Sequence, residues 1–399
     1  MRVVLYTISI SPHQLPLAIE IQKIVGQKNF RYVFRVRNNS EREKLGWDVN
    51  NIPEWVIYHE DVEASQWLES ADILLSGERD VKLFKRRVNK GLKNFYAAER
   101  WFKPPWGMFR LLHPRFFLIA WRMAELIKSG GIVYLPMGIH AAKDMMRLCG
   151  LLSGDWCCLF RSPRLDFERK PMGKIWSEQG HRENSYTEQM RMWGYFVKAS
   201  KSQKDVYLRK YGQIPLKIFW AGRMLALKKV DTLIRAVIQL LDEGFSFHLQ
   251  IVGVGSEDTH LKRLASRYIR EDAQSNGITF STQVPINDVR CLMQQADIYV
   301  LASNAYEGWG AVLNEAMNEG CSVVGTYEAG SSATMIENDI NGLLFHSGDI
   351  QTLVGHLRSL HDNVFRQRLG EAGQQTAQCV WSAQNAAKQM FVPICQILE

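Results

Sequence analysis

Apolar residues in the second half of the chain gather into short blocks: Leu216–Trp220, Phe247–Val252, Ile278–Phe280, Ile298–Ala302 and Ser322–Gly325. Between the blocks, over Val230–Leu241, Leu261–Ile269, Asp288–Gln295 and Ala311–Met317, apolar positions recur at three- and four-residue spacing. Unbroken apolar blocks predict strands buried on both faces, and the 3.6-residue period predicts helices. Strands alternating with helices build a parallel, doubly wound sheet. Further helical stretches, Ile350–Leu360, Val364–Cys379 and Ala383–Leu398, close the chain.

The first half alternates less regularly. Strands are expected at Val3–Ile8, Tyr32–Val36, Trp55–Tyr58, Ile73–Leu75, Asn94–Ala97, Ile132–Leu135 and Cys157–Phe160, and helices at Leu15–Val25, Arg115–Lys128 and Ala141–Cys149. Charge, Pro and Gly dominate Arg161–Glu188, which predicts a long loop. Gly194–Val197 looks like one more strand, ahead of a polar helix at Ser200–Tyr211. A chain of 399 residues exceeds one ordinary core, so two domains are expected, with the boundary between Lys198 and Pro215. The fold class is α/β, two Rossmann-like halves with a cleft between them as the place for a ligand.

Composition narrows the class further. With 46% hydrophobic and 23% charged residues the chain reads as a soluble globular protein. No apolar run approaches the roughly 18 residues of a membrane span. Met1–Tyr6 gives way quickly to the polar Ser9, Ser11, His13 and Gln14, which predicts a first strand rather than a secretory signal. Seven cysteines without a Cys-x-x-Cys pair, two of them adjacent at Cys157 and Cys158, fit reduced thiols, no structural zinc and a cytoplasmic location.

The net charge of +8 predicts an anionic partner. From Arg79 to Arg122 there are twelve Lys or Arg against two acids, Asp80 and Glu99. Aromatic residues are interleaved with them: Phe84, Phe95, Tyr96, Trp101, Phe102, Trp106, Phe109, Phe116, Phe117 and Trp121. Cations with rings suit an anionic membrane surface, which would make residues 79–122 a peripheral contact with the inner face of the membrane. A solvated basic face over a core that owns the rings gives the same pattern. Nucleic acid, which the composition alone permits, is not the expected partner.

Three short stretches carry candidate chemistry. In Ala221-Gly222-Arg223-Met224-Leu225-Ala226-Leu227-Lys228 a strand ends at a glycine and two cations follow before a helix, which suits a diphosphate. Val252-Gly253-Val254-Gly255 has the first two glycines of a dinucleotide fingerprint but not the third, and the acidic Glu257 and Asp258 follow, so it reads as a tight turn. In Glu307-Gly308-Trp309-Gly310 and on to Glu315, one carboxylate lies in a strand-to-helix loop and the other inside the helix. The glycines allow close backbone approach, and the helix start offers N–H groups. Two solvated glutamates would give the same spacing.

Taken in order, Gly222-Arg223, Lys228, Glu307 with Glu315, Gly330-Ser331 and Asn341-Gly342-Leu343-Leu344-Phe345 resemble the retaining glycosyltransferases of family 4. The likeness covers Leu216–Phe345 well and the first half loosely. It implies the GT-B fold, two Rossmann-like domains facing across a cleft: residues 1–199 on the acceptor side and 213–380 on the donor side. A C-terminal helix, about 381–399, would pack back on the first domain.

The resemblance implies a donor site in which Arg223 and Lys228 hold the diphosphate and stabilise the leaving group. Gly222 and the Gly308-Trp309-Gly310 turn approach sugar and phosphate through the backbone. Glu307 contacts donor-sugar hydroxyls and Glu315 the ribose. It also implies a nucleoside-diphosphate sugar as donor, a saccharide or lipid-linked acceptor and a role for His140 near the donor sugar. His13 and Gln14 stand in the first loop as acceptor-side candidates. The chain departs from the family there, with Ser9-Ile10-Ser11-Pro12 in place of a Gly-Gly loop, and again at Thr334, where an acid is usual. No Asp-x-Asp occurs, so neither a metal nor another cofactor is expected. An epimerase or phosphorylase of the same fold, or a non-catalytic nucleotide-sugar-binding module, are the rival classes.

Overall fold

The computed structural model describes residues 1–36, 52–155, 163–177, 187–200, 215–272, 275–282 and 284–398, the last seven of them by backbone alone. The chain divides into two units. Unit 1 is Met1–Phe196 with Ala383–Glu399, and unit 2 is Val197–Ser382.

Unit 1 is built on six parallel strands, β1 (Val3–Thr7), β2 (Phe30–Phe34), β3 (Val56–Tyr58), β4 (Ile73–Ser76), β5 (Lys93–Ala98) and β6 (Val133–Pro136). They lie in the order β3-β2-β1-β4-β5-β6, with Val3 opposite both Phe30 and Ile73. Its helices are α1 (Leu15–Val25), α2 (Val62–Ser70), α3 (Val81–Asn89), α4 (Pro114–Lys128) and α5 (Ile139–Leu152).

The apolar pattern does not announce α2 and α3. α2 buries only Ala64, Trp67 and Leu68 in a short, weakly apolar run. α3 buries a cation: the fully buried Arg87 donates to Asn94 Oδ1 at 2.7 Å, to Leu68 O at 2.7 Å and to Ala71 O at 2.8 Å. A guanidinium whose donors are satisfied can occupy a core position that a count of apolar residues misses.

The long loop expected over Arg161–Glu188 holds a short antiparallel pair, β7 (Leu165–Phe167) and β8 (Ile175–Ser177). Gly194–Val197 forms no strand; Val197 makes one isolated bridge, to Ser382. The strand expected at Cys157–Phe160 and the helix expected over residues 201–211 lie outside the described residues.

Unit 2 repeats the plan with β9 (Leu216–Ala221), β10 (Phe247–Val252), β11 (Gly277–Ser281), β12 (Ile298–Leu301), β13 (Ser322–Thr326) and β14 (Leu343–Phe345). The order is β11-β10-β9-β12-β13-β14, again all parallel. Between the strands run α6 (Val230–Asp242), α7 (Asp258–Ala265), α8 (Ile286–Gln295), α9 (Val312–Asn318) and α10 (Gly330–Met335). Beyond β14 come α11 (Ile350–Ser359) and α12 (Asn363–Gln375), the latter ending in a π turn at Thr376–Val380. Ile218, Leu233, Val237, Ile251, Val300 and Leu343, all buried, belong to one continuous core on the sheet. α13 (Ala383–Leu398) belongs to unit 1, where it packs on α1.

In each sheet the chain reverses direction beside the first strand, at β1/β4 and at β9/β12. Open α/β sheets bind ligands at the carboxyl edge of that switch point, where loops diverge and backbone groups are left for a ligand.

Candidate functional site

The loops leaving β9 and β12 meet at the switch point of unit 2. Gly222 ends β9 with φ +153°, and its N–H donates to Val252 O at 3.0 Å. A Cβ on Gly253 would fall 1.9 Å from Gly222 O, and one on Gly255 2.3 Å from Met224 O. Those two glycines are therefore required by the close approach of the β9 and β10 loops, which accounts for them without a dinucleotide.

Arg223 is exposed and makes no ion pair among the described residues. Lys228 closes a single 3-10 turn, Ala226–Lys228. Leu227 O accepts from Asn304 N at 2.9 Å, which ties the Lys228 loop to the loop after β12. Through that tie the Lys228 ammonium reaches Glu307 Oε2, to which Ser303 Oγ also donates at 2.9 Å. Only 18% of the Lys228 side chain and 13% of the Glu307 side chain are exposed, so this pair is poorly screened by water.

The Gly308-Trp309-Gly310 turn is fixed from behind. Gly308 O accepts from Gly330 N at 3.1 Å, Trp309 O from Ser331 N at 2.7 Å, and Gly310 O from Ser331 Oγ at 3.0 Å. Gly310 has φ +85°, and a Cβ there would stand 2.9 Å from Leu301 Cδ2. With the carbonyls held, the N–H groups of all three residues remain without a protein acceptor among the described residues. Consecutive N–H groups held this way make an anion-binding concavity.

The Trp309 ring is buried, stacks obliquely on Trp381 and donates from Nε1 to Asn314 Oδ1 at 2.9 Å. What Trp309 can offer a ligand is its backbone N–H. Glu315 sits one turn into α9, 4% exposed, with Oε1 3.7 Å from Nη2 of Arg290 on α8. Arg290, Ser303 and Asn304 were not anticipated from the sequence. No spacing rule links Arg290 to Glu315, and the other two act through loop geometry.

Two motif elements support the fold rather than face a ligand. Asn341 donates to Met335 O and Thr376 Oγ1, both at 3.0 Å, and accepts from Glu337 N at 2.8 Å; a Cβ on Gly342 would strike Val323. Thr334 is fully buried in α10.

The remaining candidates lie in unit 1. His140 is the second residue of α5, just past β6, and is half-buried. His13 and Gln14 precede α1; the His13 ring lies 5.8 Å from that of Tyr195, and Gln14 Oε1 accepts from Tyr32 OH at 3.1 Å.

Comparison with known proteins agrees with the fold. A crystal structure of HepE from Anabaena in complex with UDP superposes with a TM-score of 0.66 over 99% of this chain and 100% of that one, at 14% identity. The chain has the GT-B fold. A second GT-B likeness is to the lipopolysaccharide outer core galactosyltransferase WaaB, TM-score 0.59, 15% identical, over the full length of both.

Residues 215–363, most of unit 2, match the family described as Glycosyl transferases group 1. The putative colanic acid biosynthesis glycosyltransferase WcaL of Escherichia coli K12 is 29% identical over 148 residues, 36% of this chain and 35% of that protein. A GDP-mannose-dependent monoacylated alpha-(1-6)-phosphatidylinositol monomannoside mannosyltransferase of Corynebacterium glutamicum is 28% identical over 197 residues, 47% of this chain and 49% of the relative. The chain thus spans a third to a half of the length of these curated relatives.

Proposed function

We propose that this GT-B chain is a glycosyltransferase. It moves a sugar from a nucleoside-diphosphate sugar to a saccharide or lipid-linked saccharide, with retention of anomeric configuration, in the assembly of cell-surface polysaccharide or glycolipid. The observation that carries the reading is the constellation at the unit 2 switch point. Lys228 and Glu307 are drawn together there, beside three N–H groups with no protein acceptor among the described residues and with Glu315 buried one turn on. The relatives named above, glycosyltransferases of polysaccharide and glycolipid assembly, support it.

Breaking the bond between the anomeric carbon and the donor phosphate leaves positive charge on the sugar and negative charge on the diphosphate. Arg223, Lys228 and the N–H groups of residues 308–310 stabilise the diphosphate, without a metal in this reading. The α9 dipole adds little, since that helix has seven residues. Glu307 and Glu315 accept from sugar and ribose hydroxyls. The acceptor oxygen bonds to the anomeric carbon on the face the diphosphate leaves, and its proton passes to the departing phosphate oxygen. No protein nucleophile is required.

We assign the membrane contact to part of residues 79–122. Phe84, Phe95, Tyr96, Trp101 and Phe102 are buried and belong to the core. Trp106, Phe109, Leu112, Phe117, Leu118 and Ile119 are exposed, beside the exposed Arg115 and Arg122. Apolar groups among cations suit an anionic lipid surface. No helix among the described residues is long and apolar enough to cross a membrane.

The deciding experiment is a melting-shift screen against UDP, GDP and ADP, followed by donor hydrolysis in the parent and in Lys228→Ala. A cognate nucleotide raises the melting temperature in proportion to the logarithm of its excess over Kd. No shift with any nucleotide, or hydrolysis that survives Lys228→Ala undiminished, overturns the assignment.

A further inference from the structure

The two carboxylates at the unit 2 switch point each face a cation carried by another element. Glu307 is bonded to Lys228, from the loop after β9, and Glu315 faces Arg290, from α8. Only the first of these cations has a role in the reaction described above. The phenol of the buried Tyr299 is kept protonated first by desolvation and then by the charges of Glu307 and Glu315, so both acids lie within electrostatic reach of one group. A diphosphate bound beside them adds further negative charge. Each acid, largely withdrawn from water, then needs a cation of its own to offset the repulsion.

The packing of α8 on α9 places Arg290. Arg290 and Gln294 are four residues apart on α8, and Glu315 and Glu319 four apart at the end of α9, so each pair shares one helix face. The two faces meet in two rungs. In the lower rung Gln294 Nε2 donates to Glu319 Oε2 at 2.8 Å and Asn318 Nδ2 donates to Glu319 Oε1 at 3.2 Å, which uses both oxygens of that acid. In the upper rung Arg290 Nη2 stops 3.7 Å from Glu315 Oε1, beyond hydrogen-bond range. Oε1 is buried, the Arg290 side chain is partly open to solvent, and Arg290 makes no hydrogen bond among the described residues. Arg290 thus lends charge to Glu315 without consuming it as an acceptor, as the lower rung consumes Glu319.

We propose that Arg290 is a positioning residue of the donor site: it balances the charge of the buried Glu315 and draws Oε1 inward, leaving Oε2 to accept from the ribose hydroxyls of the nucleotide. The proposal rests on the reading of Glu315 as the ribose contact and deepens it. Arg290 itself touches no ligand atom.

The test titrates the full chain with UDP, GDP and ADP and with their 2′,3′-dideoxy counterparts by isothermal calorimetry. Salt is held at about 0.15 M, which screens the long-range pull of one cation on the diphosphate. For a nucleotide that binds the parent, Arg290→Ala should weaken the ribose form about fivefold, the upper end of the worth of a partly exposed ion pair. The dideoxy form should lose less than about twofold, whereas general damage to the fold would weaken both alike. Arg290→Lys keeps the point charge and should restore most of the loss. In the Glu315→Gln background Arg290→Ala should change the ribose form by less than about twofold, because it acts only through that carboxylate. Equal loss for both forms, no loss for either, or a loss that persists undiminished in the Glu315→Gln background overturns the proposal. Glu315→Gln alone is read separately. If it costs both forms equally, or if no nucleotide binds the parent, the ribose reading of Glu315 falls and the role of Arg290 with it. If it costs the ribose form alone while Arg290→Ala costs nothing, only the role of Arg290 falls.

Discussion

Replacing Lys228 with alanine should cost both stability and turnover, and a second substitution separates the two. The ammonium is bonded to Glu307, and less than a fifth of either side chain is exposed. Removing one partner of a fully buried pair costs about 3–5 kcal/mol, and an exposed pair is worth less than about 1 kcal/mol. The exposures here place the loss between, at roughly 2 kcal/mol, with Ser303 Oγ remaining to solvate the carboxylate in part. For a domain the size of unit 2 that is a fall of about 4–8 °C in melting temperature. Adding Glu307→Gln removes the stranded charge, so the double variant should recover at least half of the fall. Turnover should not recover, because the leaving diphosphate still lacks its cation. Loss of one such group costs about 10²–10³-fold in rate. Calorimetry of the parent, Lys228→Ala, Glu307→Gln and the double variant reads the first effect, and nucleotide release from the donor reads the second. If the two stability changes simply add, to within about 0.5 kcal/mol, the pair is not coupled and the reasoning fails.

Glu315→Gln should weaken nucleoside diphosphate binding by about 1.5–3 kcal/mol, the worth of a charge-assisted hydrogen bond. The loss should vanish for the 2′,3′-dideoxy nucleotide, and an equal loss for both would remove Glu315 from the ribose. Transfer should continue at its starting rate in EDTA; a collapse restored by a divalent ion would refute the metal-free assignment. The buried His248 is held neutral, its pKa lowered first by desolvation, with Nδ1 2.7 Å from Ser275 O and Nε2 3.0 Å from Thr279 Oγ1. Below the ordinary value of 6.5 the unfolded chain takes up a proton that the folded chain refuses, so stability falls as pH drops through that value. His248→Gln should flatten that part of the melting-versus-pH curve, and an unchanged slope would clear His248 of the effect. Anionic vesicles should bind the parent at low salt. Trp106→Ser with Phe109→Ser should lose about 1.5–3 kcal/mol for each ring that inserts fully; equal binding by the double variant would exclude this surface.

The architecture was legible because both sheets are buried on both faces. The blocks at Val3, Phe247 and Ile298 could be nothing but strands once helical periods stood between them, and two such series imply two doubly wound sheets. α3 was not legible, since the helix is short and one of the side chains it buries, beside Val81, Leu83 and Phe84, is the cation Arg87. β14 was hidden inside Asn341–Phe345, which looked like part of a ligand motif. The structure gives that stretch the work of capping α10 and bracing α12 through Thr376.

The candidate site divides along the same line. Residues of a shared loop, such as Gly308 and Gly310, can be read from spacing because the chain itself sets their distance. Lys228 and Glu307 stand 79 positions apart and meet only because Asn304 N–H finds Leu227 O. Trp309 misleads in the opposite direction. It lies beside Glu307, the proposed sugar contact, in sequence, yet its ring turns inward to Trp381 and Asn314. Glu78, buried just past β4, shows how little charge counting says about an acid's surroundings. It falls one residue ahead of a run in which twelve cations meet two acids, where an acid reads as background. What separates it from Asp80 is burial and an oxygen with no partner among the described residues, since Asp80 spends its carboxylate on a helix cap. The chemistry of an acid follows from which donors the fold leaves it, and that is decided by contacts made across the sheet edge rather than along the chain.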